Sequence, residues 1–290
     1  MLESRRRWKL DRPTSWPTLG VCFSLATASK LQGMIDYEVQ GNIAVITINR
    51  PDARNAVNGQ FATEMEGAID AMEADESVWV GIIRAVTVGD RPVFCAGADL
   101  KEINSGNGAA LSTKKGGFAG LVYRDRNKPI IVAIDGLATA GGCEIALSAD
   151  IVVATTRSSF GLAEVKRNLI AGAGGLFRLP HAIGKAAAME VILTGDPLPA
   201  TRAYELGLVT RLVEPGQADA AALEIAAKIA TSAPMAVAES RKVVLASQYA
   251  SEEELKSLTN AAMGKVMGSE DLKEGLSAFI EKRTPQWRGR

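Results

Sequence analysis

Three short apolar runs, separated by helical patterns, constrain the fold of this chain more than any other feature. The runs span residues 78–86, 130–134 and 151–154, and each has the length of a buried strand. Residues 59–74 repeat apolar side chains at helical spacing, which predicts an amphipathic helix packed on a sheet. Because strands that alternate with helices usually pair in parallel, the pattern predicts an α/β fold.

The regions on either side of this alternation have simpler patterns. Residues 35–40 and 43–49 flank a Gly-Asn pair and predict a β-hairpin. Residues 105–117 are rich in Gly, Ser and Lys, which is typical of a flexible loop and predicts a candidate active-site lid. From Ala182 onward the pattern is mostly helical, with helices predicted at residues 185–193, 200–206, 217–232, 234–247, 251–266 and 270–281.

Residues 1–33 differ in composition from the rest of the chain. They combine an arginine cluster with prolines and show no clear period-2 strand, so we predict an irregular N-terminal extension. Two alternatives stay open: a transit peptide, which Glu3 and Asp11 disfavour, or a native start at Met34. The chain is therefore predicted to divide into this extension, a β/α core at 34–198 and a helical C-terminal region at 199–290.

Composition excludes several classes of function. Lys and Arg together number 33, as do Asp and Glu, so no basic surface for nucleic acid is predicted. Cys22, Cys95 and Cys143 match neither a disulfide framework nor a zinc motif, which favours a reducing cytoplasm and predicts no metal site. No apolar run approaches the roughly 20 residues of a membrane helix, so no membrane segment is predicted.

The single histidine limits the catalytic options. His181 follows Pro180, is predicted to lie at the start of an alanine-rich helix, and has no nucleophile motif near it. A Ser-His-Asp or Cys-His mechanism is therefore not expected.

Two glutamates near small-residue turns are the strongest candidates for chemistry. Glu144 follows a glycine pair at 141–142 that is predicted to begin a helix, and Glu164 lies twenty residues later. The N–H groups at such a helix start can stabilise a carbonyl oxygen that gains negative charge. Residues 96–98, Ala-Gly-Ala, form a second such turn. Because two carboxyl groups can divide acid and base work, the pattern predicts chemistry next to a carbonyl.

From about residue 35 to residue 282, the sequence resembles the crotonase superfamily and, within it, the enoyl-CoA hydratases. The resemblance rests on motifs in a fixed order: NRP at 49–51 with NA at 55–56, AGAD at 96–99, GGCE at 141–144, FGLAE at 160–164 and GAGG at 172–175. It implies an α/β fold in which repeated ββα units form a spiral core. The helical C-terminal region would then serve oligomerisation, as a homotrimer or a dimer of trimers.

The resemblance also implies roles for individual residues. Glu144 and Glu164 would be the acid/base pair, and the backbone N–H groups of Ala98 and Gly141 would hold the thioester oxygen. Contacts with coenzyme A would come from Arg54, Ala96, Asp99, Leu100, Lys101, Phe279 and Lys282, the last two often reaching a neighbouring subunit. The implied activity is hydration of 2-enoyl-CoA thioesters, with coenzyme A as part of the substrate and no separate cofactor.

Some positions depart from the commonest hydratase pattern, and alternatives stay open. Ala140 stands where glycine is frequent, and Ala163 and Ala171 stand where proline is frequent. The sequence leaves the acyl-chain length, the natural substrate and the pathway open. An enoyl-CoA isomerase, which usually needs one carboxylate, is a rival that the two glutamates disfavour. A non-catalytic CoA-binding or RNA-binding homologue is a second rival, which the complete catalytic set and the balanced charge disfavour.

Overall fold

The structure, a computed structural model, describes residues 33–290, so the predicted extension falls outside the described residues apart from Gly33. The strands are β1 (Ile35–Gln40), β2 (Ile43–Ile48), β3 (Val80–Ala85), β4 (Val93–Cys95), β5 (Ser112–Thr113), β6 (Gly117–Phe118), β7 (Ile130–Ile134), β8 (Leu137–Thr139), β9 (Ile151–Thr155), β10 (Ser159–Gly161), β11 (Leu198–Pro199) and β12 (Arg211–Val213). The helices are α1 (Gly59–Ala74), α2 (Leu100–Asn104), α3 (Gly141–Ser148), α4 (Gly175–Ile183), α5 (Lys185–Thr194), α6 (Ala200–Leu206), α7 (Ala218–Ala230), α8 (Pro234–Ala246), α9 (Glu252–Met267) and α10 (Glu270–Glu281).

Six strands form the larger sheet, in the order β1-β2-β3-β7-β9-β12. The hairpin predicted at the N-terminal end is present, because β1 and β2 are antiparallel and pair Ile35 with Ile48. Every following pair of neighbours is parallel. The predicted α/β architecture with parallel pairing is therefore confirmed.

The smaller sheet has the order β11-β10-β8-β4, and β4, β8 and β10 run parallel to one another. The chain passes from the larger to the smaller sheet three times: from β3 to β4, from β7 to β8 and from β9 to β10. Helix α2 follows β4, α3 follows β8, and a 3-10 turn at Glu164–Arg167 and then α4 follow β10. These repeated ββα units bring the carboxyl ends of three parallel strands to one edge of the smaller sheet.

Side-chain alternation in β2 separates two apolar clusters. Ala44, Ile46 and Ile48 face the cluster that contains the buried side of α1, whereas Ile43 and Val45 face the other side of the sheet. Helix α7 covers that second face, and its four buried residues are all alanine. These small side chains allow the helix to lie close to the strands, so both faces of the larger sheet are closed.

The C-terminal helices follow the predicted positions closely, but the region contains more than helices. Strand β12, which is only three residues long, adds the last strand to the larger sheet and gave no recognisable pattern in the sequence. Helices α8 and α9 contain no fully buried residue. Arg241 of α8 is tied to the core by its Nε, which donates to Asp150 Oδ1 at 2.8 Å. The predicted boundary between residues 198 and 199 stays a prediction.

The lengths of the helices decide whether any of them could span a membrane. Within residues 33–290, no single helix is both long and apolar enough to cross a membrane. Helices α7 and α8 reach the necessary length and composition only together, across a bend of 110°.

The prediction of a flexible loop at residues 105–117 missed the secondary structure of this segment, whereas its role as an active-site lid stays a prediction. The segment contains a 3-10 turn, Gly108–Leu111, and the short antiparallel pair β5 and β6. Polar contacts with α1 hold it, since Lys115 Nζ pairs with Asp70 at 2.6 Å and Gly116 N donates to Glu66 at 2.9 Å. Such contacts between distant segments leave no periodic pattern, so a loop was the natural interpretation of the sequence.

The prediction that His181 starts a helix was also wrong. His181 lies in the last turn of α4, and Pro180 lies inside that helix. Gly184, with a φ of 80°, ends α4 and separates it from α5. The proline was mistaken for a helix start because it lacks an N–H group, which is tolerated most easily there.

Candidate active site

A cavity of about 940 Å³ lies where the segments after β4, β8 and β10 meet. Because these strands are parallel neighbours, their carboxyl ends deliver three consecutive functional segments to the same place. The structure brings together nine of the predicted site residues as cavity lining: Arg54, Ala96, Ala98, Asp99, Leu100, Lys101, Gly141, Glu144 and Glu164.

The two remaining predicted residues lie elsewhere. Phe279 and Lys282 are at the C-terminal end of α10 and do not line this cavity within the chain. The Phe279 side chain is 85% exposed, and its neighbour Ile280 is exposed as well. Their predicted contact with a neighbouring subunit's ligand stays a prediction.

The turns after β4 and β8 approach each other so closely that side chains are excluded. A Cβ atom on Gly97 would lie 2.8 Å from the backbone nitrogen of Gly141, and Gly97 has a φ of 86°. A Cβ atom on Gly142 would lie 2.1 Å from the carbonyl oxygen of Cys95. Glycine is required at both positions because the backbones of the two turns are in contact.

Two backbone N–H groups at this contact have no acceptor in the part of the chain that the structure describes. The N–H groups of Ala98 and Gly141 donate to no oxygen or sulfur among residues 33–290. Gly141 is the first residue of α3, so its N–H belongs to the unpaired donors of a helix N-terminus. Both residues line the cavity, where the groups can act as donors to a ligand oxygen.

The residue before Gly141 has an unusual backbone conformation. Ala140 has a φ of 51° and a ψ of −128°, a region that residues with a Cβ rarely adopt. Its N–H donates to Gly161 O at 2.8 Å, and its carbonyl accepts from the N–H groups of Cys143 and Glu144. These bonds hold the peptide between Ala140 and Gly141 in a strained orientation that turns the Gly141 N–H toward the cavity.

Glu144 is held in the first turn of α3 and is only 3% exposed. Its Oε1 accepts two backbone hydrogen bonds, from Ala173 N at 2.7 Å and from Gly175 N at 2.9 Å. Burial has the largest effect on the pKa of this carboxyl and raises it to about 7. The Gly175 N–H lowers the pKa, and the nearby charge of Glu164 raises it. Glu144 can therefore exchange a proton near neutral pH.

Glu164 has a different environment. It begins the 3-10 turn after β10, and its Oε2 is buried with no hydrogen-bond partner among the described residues. Burial raises the pKa of this carboxyl, while its own backbone N–H and the charge of Arg167 lower it. The shift favours the protonated form more than in an exposed glutamate, and the protonated form is the one that can donate a proton into the cavity.

Sequence reasoning missed several residues that shape the site. Arg50 forms an ion pair with Asp99 at 2.9 Å, so Asp99 organises the loop after β4 as well as lining the cavity. Phe118 of β6 lies against Gly141, where an added Cβ would be 2.4 Å from the phenyl ring. Tyr123 and Arg178 contact the turn that binds Glu144. These contacts join segments far apart in sequence, so no local motif could reveal them.

No group of three or more His, Cys, Asp or Glu side chains within residues 33–290 is arranged to bind a metal ion. Cys95 and Cys143 are both buried as free thiols, and burial raises the pKa of each thiol. Neither is therefore suited to act as a thiolate nucleophile at neutral pH.

Residues 38–290 match the family described as enoyl-CoA hydratase/isomerase. The mevalonyl-coenzyme A hydratase of Aspergillus fumigatus is 38% identical over 262 residues, which cover 89% of this chain and 96% of that protein. The short-chain-enoyl-CoA hydratase of Clostridium acetobutylicum is 37% identical over 250 residues, covering 85% and 94%. The crystal structure of an enoyl-CoA hydratase from Mycobacterium tuberculosis H37Rv matches with a TM-score of 0.84 and 42% identity, covering 89% of this chain and 100% of that one. The expected crotonase-like fold is thereby confirmed.

Proposed function

Because the chain belongs to the enoyl-CoA hydratase/isomerase family, we propose that it adds water across the 2,3 double bond of 2-enoyl-CoA thioesters. The observation that carries this proposal is the presence in one cavity of the buried Glu144 carboxyl, the half-buried Glu164 carboxyl and two backbone N–H groups that have no acceptor within residues 33–290. Hydration uses all four, whereas an isomerase usually needs a single carboxyl. Two relatives are named for mevalonyl-CoA and short-chain enoyl-CoA, so the acyl group stays open.

The proposed reaction begins with Glu144 as the base. Its ionised carboxylate accepts a proton from water, and the hydroxyl oxygen forms a bond to Cβ of the substrate. The electron pair of the double bond moves toward Cα, and negative charge develops on the thioester oxygen. The N–H groups of Ala98 and Gly141 stabilise that oxygen.

Glu164 completes the addition in this proposal. Its protonated carboxyl donates to Cα, which removes the charge from the thioester oxygen and leaves a 3-hydroxyacyl-CoA. Glu144 has then gained one proton and Glu164 has lost one, so one proton must return between them or through solvent before the next turnover. The pKa of Glu144, raised to about 7, and the raised pKa of Glu164 support proton exchange at both carboxyls.

Coenzyme A is proposed to bind along the cavity wall formed by the segments that follow β4 and the short 3-10 helix at Pro51–Ala53. Arg54 and Lys101 contribute positive charge there, suited to the phosphates of coenzyme A. Ala96 and Leu100 are proposed to contact it as well. Asp99 would act by fixing this loop, because its carboxylate is engaged by Arg50.

A homotrimer or a dimer of trimers is proposed as the assembly. Its support is the exposed apolar side chains on α10, which include Leu276, Phe279 and Ile280. Within such an assembly, Phe279 and Lys282 would contact coenzyme A bound to a neighbouring subunit. The buried free thiols agree with the cytoplasm as the proposed location.

The first experiment compares hydration of crotonyl-CoA with isomerisation of 3-enoyl-CoA by the purified protein. Hydration with little isomerisation is the expected result. Isomerisation that exceeds hydration would favour the isomerase, and the absence of both activities would favour a non-catalytic homologue.

A second experiment tests the two N–H donors. Proline at position 141 removes one donor and fits the first position of a helix, so hydration should fall at least about 100-fold. Gly141→Ala keeps the donor, but its Cβ would meet Phe118, so both substitutions are made in a Phe118→Ala background. Equal hydration by the proline and alanine proteins would show that this N–H does not hold the thioester oxygen.

A further inference from the structure

The two donors that bind Glu144 belong to two separate peptide units. One joins Gly172 to Ala173, and the other joins Gly174 to Gly175. In a trans peptide the N–H and C=O groups point in opposite directions. Each unit therefore presents its N–H to Glu144 and its carbonyl oxygen to the side away from the carboxylate.

Both carbonyl oxygens on that outer side are occupied. The Tyr123 hydroxyl donates to Gly172 O at 2.9 Å. The backbone N–H of Arg178, in the first turn of α4, donates to Gly174 O at 2.9 Å. The orientation of both donors to Glu144 is thus fixed from behind, one by a side chain and the other by a helix.

The Arg178 side chain connects the segment that carries Tyr123 with the turn at residues 172–175. Its Nη2 donates to Val122 O at 2.6 Å and its Nη1 to Ala173 O at 3.3 Å. The guanidinium also lies over the Tyr123 ring, 5.4 Å from the centroid. Arg178 therefore fastens the segment that carries Tyr123 to the turn at residues 172–175.

We propose that Tyr123 and Arg178 are positioning residues that hold the backbone N–H clamp on Glu144 and thereby set the pH at which this carboxyl ionises. The clamp is defined here as the N–H groups of Ala173 and Gly175. The proposal rests on the proposed function only where ionised Glu144 is taken as the base. The hydrogen bonds themselves do not depend on that assignment.

Electrostatics supports the proposal. Burial is the largest influence on the pKa of Glu144 and raises it, the clamp donors and Arg178 lower it, and the charge of Glu164 raises it. A hydroxyl that donates to Gly172 O polarises the same peptide that donates to Glu144. Tyr123 and Tyr249 are the titratable side chains that face Arg178 besides Glu144. Loss of Tyr123's hydroxyl or of Arg178's charge should therefore raise the pKa of Glu144.

The experiment measures the protonation of Glu144 directly and through activity. The carboxyl carbon of Glu144 is titrated by carbon-13 NMR in protein labelled at glutamate, with Glu144→Gln identifying the signal. The pH dependence of crotonyl-CoA hydration is measured in parallel. The variants are Tyr123→Phe, Arg178→Lys and Arg178→Gln, and the matched control is Tyr204→Phe, which removes an exposed hydroxyl on α6.

Tyr123→Phe should raise the Glu144 midpoint by about half a pH unit, and Arg178→Gln by about one unit. Arg178→Lys keeps the positive charge but loses the planar guanidinium with its several N–H donors. The Glu144 midpoint in this variant should therefore lie between those of wild type and Arg178→Gln. The acidic limb of the activity profile should move with the NMR midpoint, while the Michaelis constant for crotonyl-CoA changes less than turnover does. Tyr204→Phe should leave both curves unchanged.

An unchanged NMR midpoint in folded Tyr123→Phe and in folded Arg178→Gln would overturn the proposal, even if turnover fell. Should Arg178→Gln fail to fold, an unchanged midpoint in Tyr123→Phe overturns it alone. A shifted midpoint in protein whose wild type shows no hydration would preserve the positioning role and reject the proposed function instead.

Discussion

The turn after β8 and the turn after β10 each deliver one glutamate to the same cavity, yet they do so by opposite means. Glu144 lies in a regular helix and accepts two backbone N–H groups, which oppose the effect of burial. Glu164 lies in a single 3-10 turn, and its Oε2 is buried without a hydrogen-bond partner among residues 33–290. The comparison teaches that two identical side chains in one cavity are governed by different balances: burial is opposed by two backbone donors and the charge of Arg178 at Glu144, and by its own N–H and the charge of Arg167 at Glu164.

Glutamine at either position should produce the largest effect. Glu144→Gln and Glu164→Gln each keep the size of the side chain but remove its proton exchange, so turnover of crotonyl-CoA should fall at least about 100-fold. Binding of the substrate should change far less. The measurement is steady-state kinetics of folded variants, and near-normal turnover of either one would remove that glutamate from the mechanism.

The same substitution at Glu144 should change stability in a pH-dependent way. A carboxyl whose pKa is raised by folding stabilises the native state below its ordinary pKa, and this contribution is lost as the pH rises through the folded value of about 7. The Glu144→Gln side chain cannot ionise. At about pH 8 the variant should therefore be more stable than wild type, with a free energy of unfolding larger by on the order of 3 kcal/mol.

Urea unfolding at about pH 8 and about pH 4 provides the check, because the stability difference should shrink toward zero at the lower pH. A difference that is the same at both values would mean that the N–H donors already compensate for the burial of Glu144.

Activity should also depend on pH through Glu144. Because the base must be ionised, kcat/KM for hydration should rise about tenfold per pH unit on the acidic side of a midpoint near 7, and loss of the proton that Glu164 must donate should lower it on the basic side. The profile of wild type is compared with that of Glu164→Gln, whose residual activity should retain the acidic limb. Absence of the limb from both proteins would show that Glu144 does not act as the base.

The smallest expected effect concerns the strained residue in the turn after β8. Glycine adopts the conformation of Ala140 without a steric penalty but loses more chain entropy on folding, so Ala140→Gly should stabilise the protein by about 1 kcal/mol net. The control is Ala163→Gly in the other turn, where φ is −92° and glycine gives no relief. Thermal unfolding of both variants should show opposite signs; equal destabilisation would mean that Ala140 is not strained.

The residues of the site differ in how far the sequence could predict them. Glu144, Glu164 and the two glycine-containing turns stand in local motifs, and the family resemblance that those motifs carry predicted a shared site, which the structure shows as one cavity. Tyr123 and Arg178 act through bonds that span 49 and 56 positions in the chain. Such pairs depend on tertiary packing and leave no periodicity.

The secondary-structure elements also differ in how far the sequence could predict them. Strands β1, β2, β3, β7 and β9 of the larger sheet and the amphipathic helix at Gly59–Ala74 repeat apolar side chains often enough to be recognised. Strand β12 is too short to show an alternation of apolar and polar residues. Helix α4 was not predicted because it contains Pro180 and follows several glycines, which are uncommon in helices. Ala140 was noted as a departure from the family pattern, but its positive φ became visible only in the structure.

The peptide donors that hold Glu144 carry no net charge, and this gives the site a tolerance to ionic strength. Dissolved ions weaken the attraction between a carboxylate and a solvent-exposed lysine or arginine. They have little effect on hydrogen bonds between neutral peptide groups and a buried oxygen. A change in salt concentration should therefore alter the affinity for the phosphate-bearing part of the substrate, which is proposed to contact the exposed Arg54 and Lys101. The pKa of Glu144 should change little.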